Sequence, residues 1–180
     1  MYVADQLDFE SRPKIELHVH LEGSIAAETA IELARRHGRD PKEVLPLIEG
    51  GYPGRFTDFQ QFIDIYLAVS GQIGDPADLR IISEAFAHAQ AKQNIIYTET
   101  TFTAITHVRG GMDPDEMWAA VREGLDAGGG NVGLIVDTPR TTGWPRRTEP
   151  SRWLRGPTHR LPAWGCRVSR GRSPRGSFES

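Results

Sequence analysis

His18 and His20 stand two residues apart near the start of the chain, closing the stretch Lys14-Ile15-Glu16-Leu17-His18-Val19-His20. On a β-strand, residues two apart leave the same face, so two imidazoles at this spacing can offer nitrogen lone pairs to one ion. Imidazole nitrogens bind Zn2+ at about 2.0–2.1 Å. A zinc ion that keeps an open position makes its bound water a nucleophile near neutral pH. The chemistry in prospect is metal-assisted hydrolysis, and it requires at least one further protein ligand. The competing account is a pair of ordinary surface or hydrogen-bonded histidines. The placement of the pair at the end of an apolar strand, just before Gly23, favours the metal.

The elements that must position the pair follow from local patterns. Residues 14–19 alternate, with Ile15, Leu17 and Val19 against Glu16, His18 and His20, which predicts a short strand. Residues 27–37 predict a helix with Ile31, Leu33 and Ala34 inward and Gly38 as its stop. Asp40-Pro41 with Glu43 opens another helix. Over 58–70 the residues Phe59, Phe62, Ile63, Tyr66 and Leu67 recur at helical spacing and are expected to face a core. Asp75-Pro76 opens a helix with the stripe Leu79, Ile82, Phe86 and Ala89, ended by Asn94. Residues 95–102 (IIYTETTF) read as a strand. Asp113-Pro114 with Glu116 starts a last helix, with Met117, Ala120, Val121 and Leu125 inward. Gly128-Gly129-Gly130 ends it, and 131–137 form a third strand.

Strands alternating with helices are the grammar of a parallel α/β fold. Two closed solutions exist, a doubly wound open sheet and an eight-stranded α/β barrel. A barrel takes about 200 residues or more, so a barrel here would be incomplete, its first part only. At the carboxyl end of a barrel strand, His18 and His20 would face the mouth where active sites lie. A dinucleotide-binding sheet needs a Gly-rich turn after its first strand, and Leu21-Glu22-Gly23-Ser24 lacks that spacing.

The chain has 180 residues, 38% apolar and 25% charged, with a mean hydropathy of -0.43, as in ordinary globular proteins. Its longest strongly apolar stretches run to about five residues where a bilayer span needs roughly twenty, and residues 1–14 lack the apolar segment of a secretory signal. The lone Cys166 excludes an internal disulfide and a multi-cysteine zinc site. The expected compartment is the cytoplasm.

The net charge of -3 hides two unlike segments. Residues 1–138 hold 11 Lys and Arg against 22 Asp and Glu, whereas residues 139–180 hold 10 Arg against 2 Glu. The latter segment also carries 6 of the 12 prolines and 3 of the 4 tryptophans, with no sustained period. It is expected to be irregular or disordered. Three readings of it stand: an out-of-frame translation product, a solvated tail, or a basic arm for nucleic acid.

The run Pro13-Lys14-Ile15-Glu16-Leu17-His18-Val19-His20-Leu21-Glu22-Gly23-Ser24 closely resembles the N-terminal zinc motif of the adenosine deaminase family, whose members are amidohydrolase-type barrels. Phe56-Thr57-Asp58-Phe59 with Phe62 and Tyr66, and Tyr97-Thr98-Glu99, extend the resemblance over about residues 12–138. It implies a Zn2+ cofactor, with His18 and His20 as its first two ligands. It implies a hydrolase acting on the C–N bond of a cyclic amidine, in which water replaces the 6-amino group of a purine and ammonia leaves. Glu22 matches a substrate-contacting position where adenosine deaminases usually carry Asp, and Phe59 and Phe62 match a helix that covers the purine. The Glu at position 22 and the segment Glu99–Thr103, which lacks an Arg, depart from the adenosine-specific pattern. An aminodeoxyfutalosine deaminase of menaquinone synthesis is therefore an alternative.

The resemblance also implies a third zinc-binding His, a Glu in a His-Ala-Gly-Glu segment, a second catalytic His and an Asp-Asp pair. The 180 residues contain none of these motifs, so no catalytic residue is identified. The expectation is a truncated, inactive form of a deaminase, able to self-associate through its open barrel edge. His37 reads as a helix C-terminal residue complementing the dipole, His88 and His107 have no assigned role, and Asp137 and Arg140 could reach the mouth. A cytidine-deaminase type site is excluded by the single cysteine. The expected partner is a small purine, with no membrane and no nucleic acid. A non-catalytic fragment with a nucleic-acid-binding tail is the remaining alternative.

Overall fold

The computed structural model describes residues 11–137. The segment 139–180, with Arg140, His159 and Cys166, lies outside the described residues, and so do the expectations placed on it. Three strands, β1 (Lys14–His20), β2 (Ile95–Phe102) and β3 (Val132–Val136), form one parallel sheet in the order β1-β2-β3. Between β1 and β2 run the helices α1 (Ala27–Arg36), α2 (Pro41–Val44), α3 (Phe59–Ser70) and α4 (Pro76–Lys92). Between β2 and β3 run α5 (Ala104–Arg109) and α6 (Pro114–Ala127). The architecture is α/β, the opening part of a (β/α)8 barrel. Among the described residues, no helix is long and apolar enough to cross a membrane.

The helices begin where local chemistry places them. The carboxylates of Asp40, Asp58, Asp75 and Asp113 each accept an N–H from the first turn that follows. Proline at the next position in three of these costs nothing, because that N–H has no intrahelical partner. Asp75 and Asp78 form a reciprocal capping box. α1 stops at Gly38 (φ 68°), and α4 stops at Asn94 (φ 55°), left-handed positions suited to Gly and Asn. The short α5, not expected from the sequence, starts after Thr103 without a side-chain cap hydrogen bond and ends at Gly110.

The core lies between the sheet and the helices. Leu33, Leu79, Ile82, Phe86, Phe102, Met117 and Val121 are buried in it. Ala89, expected on the inward stripe of α4, is exposed, while Ala87 and Gln90 are buried. α4 and α6 approach closely because α6 offers glycines at the crossing. A Cβ at Gly124 would lie 2.3 Å from the Arg80 carbonyl oxygen, and one at Gly128 2.4 Å from the Ala87 Cβ.

Two expectations are corrected here. The simple alternation of β1 fails, because the register slips between Glu16 and Val19, which pair with Thr98 and Thr100. Three steps on β1 meet two on β2, as in a β-bulge, and the parity of the strand changes. Before the slip, Glu16 points to the helices and accepts from Gln90 at 2.7 Å, while Ile15 and Leu17 are exposed. Across and beyond it, Val19 packs against the core, and His18 and His20 line a cleft. The second correction concerns α3. Phe59, Phe62 and Leu67 are exposed, and the buried residues are Ile65 and Val69. The aromatic stripe of α3 does not pack into the core, because this helix lies across the end of β1 and walls a cleft.

Candidate functional site

That cleft has a volume of about 580 Å³ and lies between the end of β1 and α3. His18, Val19, His20 and Gly23 line one side, and Phe62, Ile63 and Tyr66 line the other. The chain leaves β1 through a single 3-10 turn, Glu22–Ser24, tied by the Ser24 hydroxyl to the Leu21 carbonyl at 2.8 Å. Gly23 lets α3 come near, because a Cβ there would already lie 3.3 Å from the Tyr66 ring.

The imidazoles of His18 and His20 have ring centroids 5.8 Å apart, with planes inclined at 39°. An ion at about 2.0–2.1 Å from a ring nitrogen lies roughly 3 Å from the ring centre. Two such rings can therefore share one ion at this separation, and the donor set fits zinc. Among the described residues no third His, Cys, Asp or Glu joins them in a cluster. One three-member cluster does exist there, of His37, Asp75 and Asp78, with candidate donor atoms within 4.8 Å of one another.

In that second cluster both oxygens of Asp78 are already engaged within the protein. Asp78 is completely buried and accepts from Arg36 Nε at 2.9 Å, Gly74 N–H at 2.8 Å and Asp75 N–H at 3.2 Å, with His37 Nε2 at 2.6 Å. Burial alone would push its pKa up. The Gly74 N–H, His37, Arg36 and Asp75 N–H bonds overcome this and hold it below the ordinary carboxylate value. A guanidinium already occupies the place of a cation. The cluster joins α1 to α4, and the ring of His37, expected only to complement a helix dipole, closes it.

Glu22 is buried, 2% exposed, and does not line the cleft. Its Oε1 accepts the Thr103 N–H at 2.9 Å, and its Oε2 is buried without a hydrogen-bond partner among the described residues. His107 Nε2, buried and equally unpartnered, lies 3.5 Å from Oε1. Glu22 reaches the cleft through its charge. Burial first, then the carboxylate of Glu22 and, least, that of Asp137 together raise the Tyr66 pKa to about 12, against a hydrogen bond with the Thr103 side chain that lowers it. Tyr66 therefore keeps its proton at neutral pH and can donate.

Phe62 lines the cleft, while Phe59 stands at its rim, 75% exposed, with its ring centroid 6.0 Å from that of Phe62. Phe56 meets Phe62 edge to face at 5.4 Å. Asp137 follows β3, its Oδ1 buried without a partner among the described residues. The structure thus brings together His18, His20 and Phe62, and sets Phe59 and Glu22 around them. Sequence reasoning missed Thr103 and His107. Their one local mark is a separation of four residues, a single helical turn, after β2.

Comparison with known proteins adds a family. The family model described as Adenosine deaminase matches residues 13–156. The aminodeoxyfutalosine deaminase of Streptomyces coelicolor is 32% identical over 149 residues, 78% of this chain and 37% of that protein. The adenine deaminase of Vibrio parahaemolyticus is 32% identical over 124 residues, 68% of this chain and 36% of that protein. Among solved structures, an adenine deaminase from Arthrobacter aurescens matches with a TM-score of 0.57 at 24% identity, over 70% of this chain and 39% of that one. An amidohydrolase from Burkholderia ambifaria with bound Zn matches with a TM-score of 0.56 at 24% identity, over 72% and 36%. The chain spans a little over a third of the length of the curated relatives it matches.

Proposed function

The chain belongs to the adenosine deaminase family, and from that premise we propose that it carries the metal-binding opening of a hydrolytic deaminase of 6-aminopurines. The overall reaction replaces the exocyclic amino group with the oxygen of water and releases ammonia. One observation carries the reading: His18 and His20 share a cleft opposite Phe62 and Tyr66. A zinc ion held by the two imidazoles would supply an activated water for attack at the amino-bearing carbon. The flat faces of Phe62 and, at the rim, Phe59 suit a planar heterocycle. Tyr66, protonated at neutral pH, offers a hydrogen-bond donor. Glu22, through its unpartnered Oε2, offers an acceptor for a substrate N–H or O–H.

In this reading residues 12–138 are the barrel portion, and the Arg- and Pro-rich segment 139–180 stands apart from it, although the family match continues to residue 156. The names of the relatives define the substrates to compare: adenine and aminodeoxyfutalosine, with adenosine beside them.

The test is zinc uptake by the purified chain, purine binding by calorimetry, and ammonia release from each compound. Zinc bound through His18 and His20, with one of these purines held in its presence, is the expected result. Binding without turnover agrees with the expectation that the missing later motifs are needed for reaction. A chain that takes up neither zinc nor purine overturns the proposal.

A further inference from the structure

Two buried polar atoms, Oε2 of Glu22, the residue before Gly23 of the cleft wall, and Nε2 of His107, have no hydrogen-bond partner among the described residues. A buried acceptor or donor left unmade costs about 1–3 kcal/mol, so a native site that keeps both calls for an explanation. The surroundings of His107 hold it in place. Its ring stacks on Phe102 at 5.3 Å and 16°, and Phe102 is itself completely buried and packed edge to face on Trp118. This stack directs Nε2 to the same carboxylate oxygen that accepts the Thr103 N–H, at 3.5 Å. A movement of about half an ångström brings that separation into the hydrogen-bond range.

We propose that His107 is a positioning residue for Glu22, committing one carboxylate oxygen to the protein and leaving the other to accept a hydrogen bond from an N–H or O–H of the bound purine. Thr103 N–H and His107 together fix the rotation of the carboxylate, so Oε2 is presented in one direction. A freely rotating carboxylate would lose that orientation on every encounter. The inference rests on the reading of Glu22 as a substrate contact, and the experiment separates the two.

The pairing is tested on the whole 180-residue chain by proton–nitrogen NMR of the histidine rings, which requires neither metal nor turnover. Glu22→Gln is expected to move the ring-nitrogen signals of His107 and to leave those of His88 in place. Unmoved His107 signals overturn the proposal. The second arm is calorimetric binding of adenine. His107→Gln retains a donor nitrogen and should bind within about threefold of the parent, whereas His107→Phe, which retains the stacked ring alone, should bind about tenfold more weakly, as should Glu22→Gln. Weakened binding in Glu22→Gln with parental binding in His107→Phe overturns the positioning role and keeps the Glu22 contact. Parental binding in both variants, with shifted His107 signals, keeps the pairing and overturns the purine contact. If the parent chain takes up no adenine, the functional reading fails and the NMR arm alone decides the pairing.

Discussion

The molecule holds two gatherings of histidine and carboxylate that look alike in composition and differ in saturation. At the junction of α1 and α4, Asp78 is surrounded by Arg36, His37 and two backbone N–H groups, and each carboxylate oxygen is spoken for. At the mouth of β1, His18 and His20 face a cavity, and Glu22 and His107 retain unpartnered buried atoms nearby. Proximity of ligand-type side chains alone selects the first group as the metal site. The buried polar atoms left without a partner among the described residues lie by the second, which favours the proposed site there. A saturated network stabilises a fold, and an unsaturated one keeps capacity for something else.

The largest effect that would break this comparison is on stability. Asp78→Asn should destabilise the chain by about 3 kcal/mol, because it leaves Arg36 and His37 facing a neutral, wrongly matched group in a buried site. Urea unfolding measures it, and an unchanged midpoint would refute the structural role of the junction. The pH dependence sharpens the same point. The folded-state pKa of Asp78 is lowered, so its contribution is complete above the unfolded carboxylate value of about 4 and is lost as pH falls through the lower folded value. The parent should therefore lose more stability than Asp78→Asn between neutral pH and the acid limb below about pH 4.

The second effect is on metal affinity. His20→Ala should weaken zinc binding by about 100-fold, taking the upper end of what even an indirect ligand contact is worth. Asp78→Asn should leave zinc affinity at the parental value when measured under conditions where both chains are folded. Competition with a chelating indicator gives both numbers, and the reverse pattern would make the α1–α4 junction the metal site.

The smallest effect distinguishes the rim from the wall. Phe59 is 75% exposed, so Phe59→Ala should change stability by no more than about 0.5 kcal/mol. Purine binding should nevertheless weaken, and by less than in Phe62→Ala, since Phe62 lines the cleft. Calorimetry of both variants checks the order. Equal losses of stability and unchanged binding would return both rings to simple packing.

Much of the fold was legible because its causes are local. The capping aspartates and their prolines mark helix starts, Gly38 and Asn94 mark stops, and all three strands lie where apolar and β-branched runs predict them. The His-x-His motif was legible for the same reason. The inward faces were less so. Phe59, Phe62 and Leu67 have helical spacing whether their stripe meets a core or a cavity, so periodicity could not tell the two apart. The resemblance marks Glu22 only as a substrate contact, and nothing in its local sequence marks it as buried, yet the Thr103 N–H, 81 residues along the chain, donates to its Oε1 in the interior.

The sequence by itself determined the order of the strands and of the helices other than the short α5, the points where those helices begin and end, and the presence of two imidazoles on the first strand, because each depends on neighbours within a few residues. Only the tertiary structure decided that the register of β1 slips between Glu16 and Val19, that α3 walls a cleft beside the histidines, and that His107 meets Glu22. Those outcomes depend on which surfaces meet across 40 or more intervening residues, and short-range preferences carry no information about such meetings.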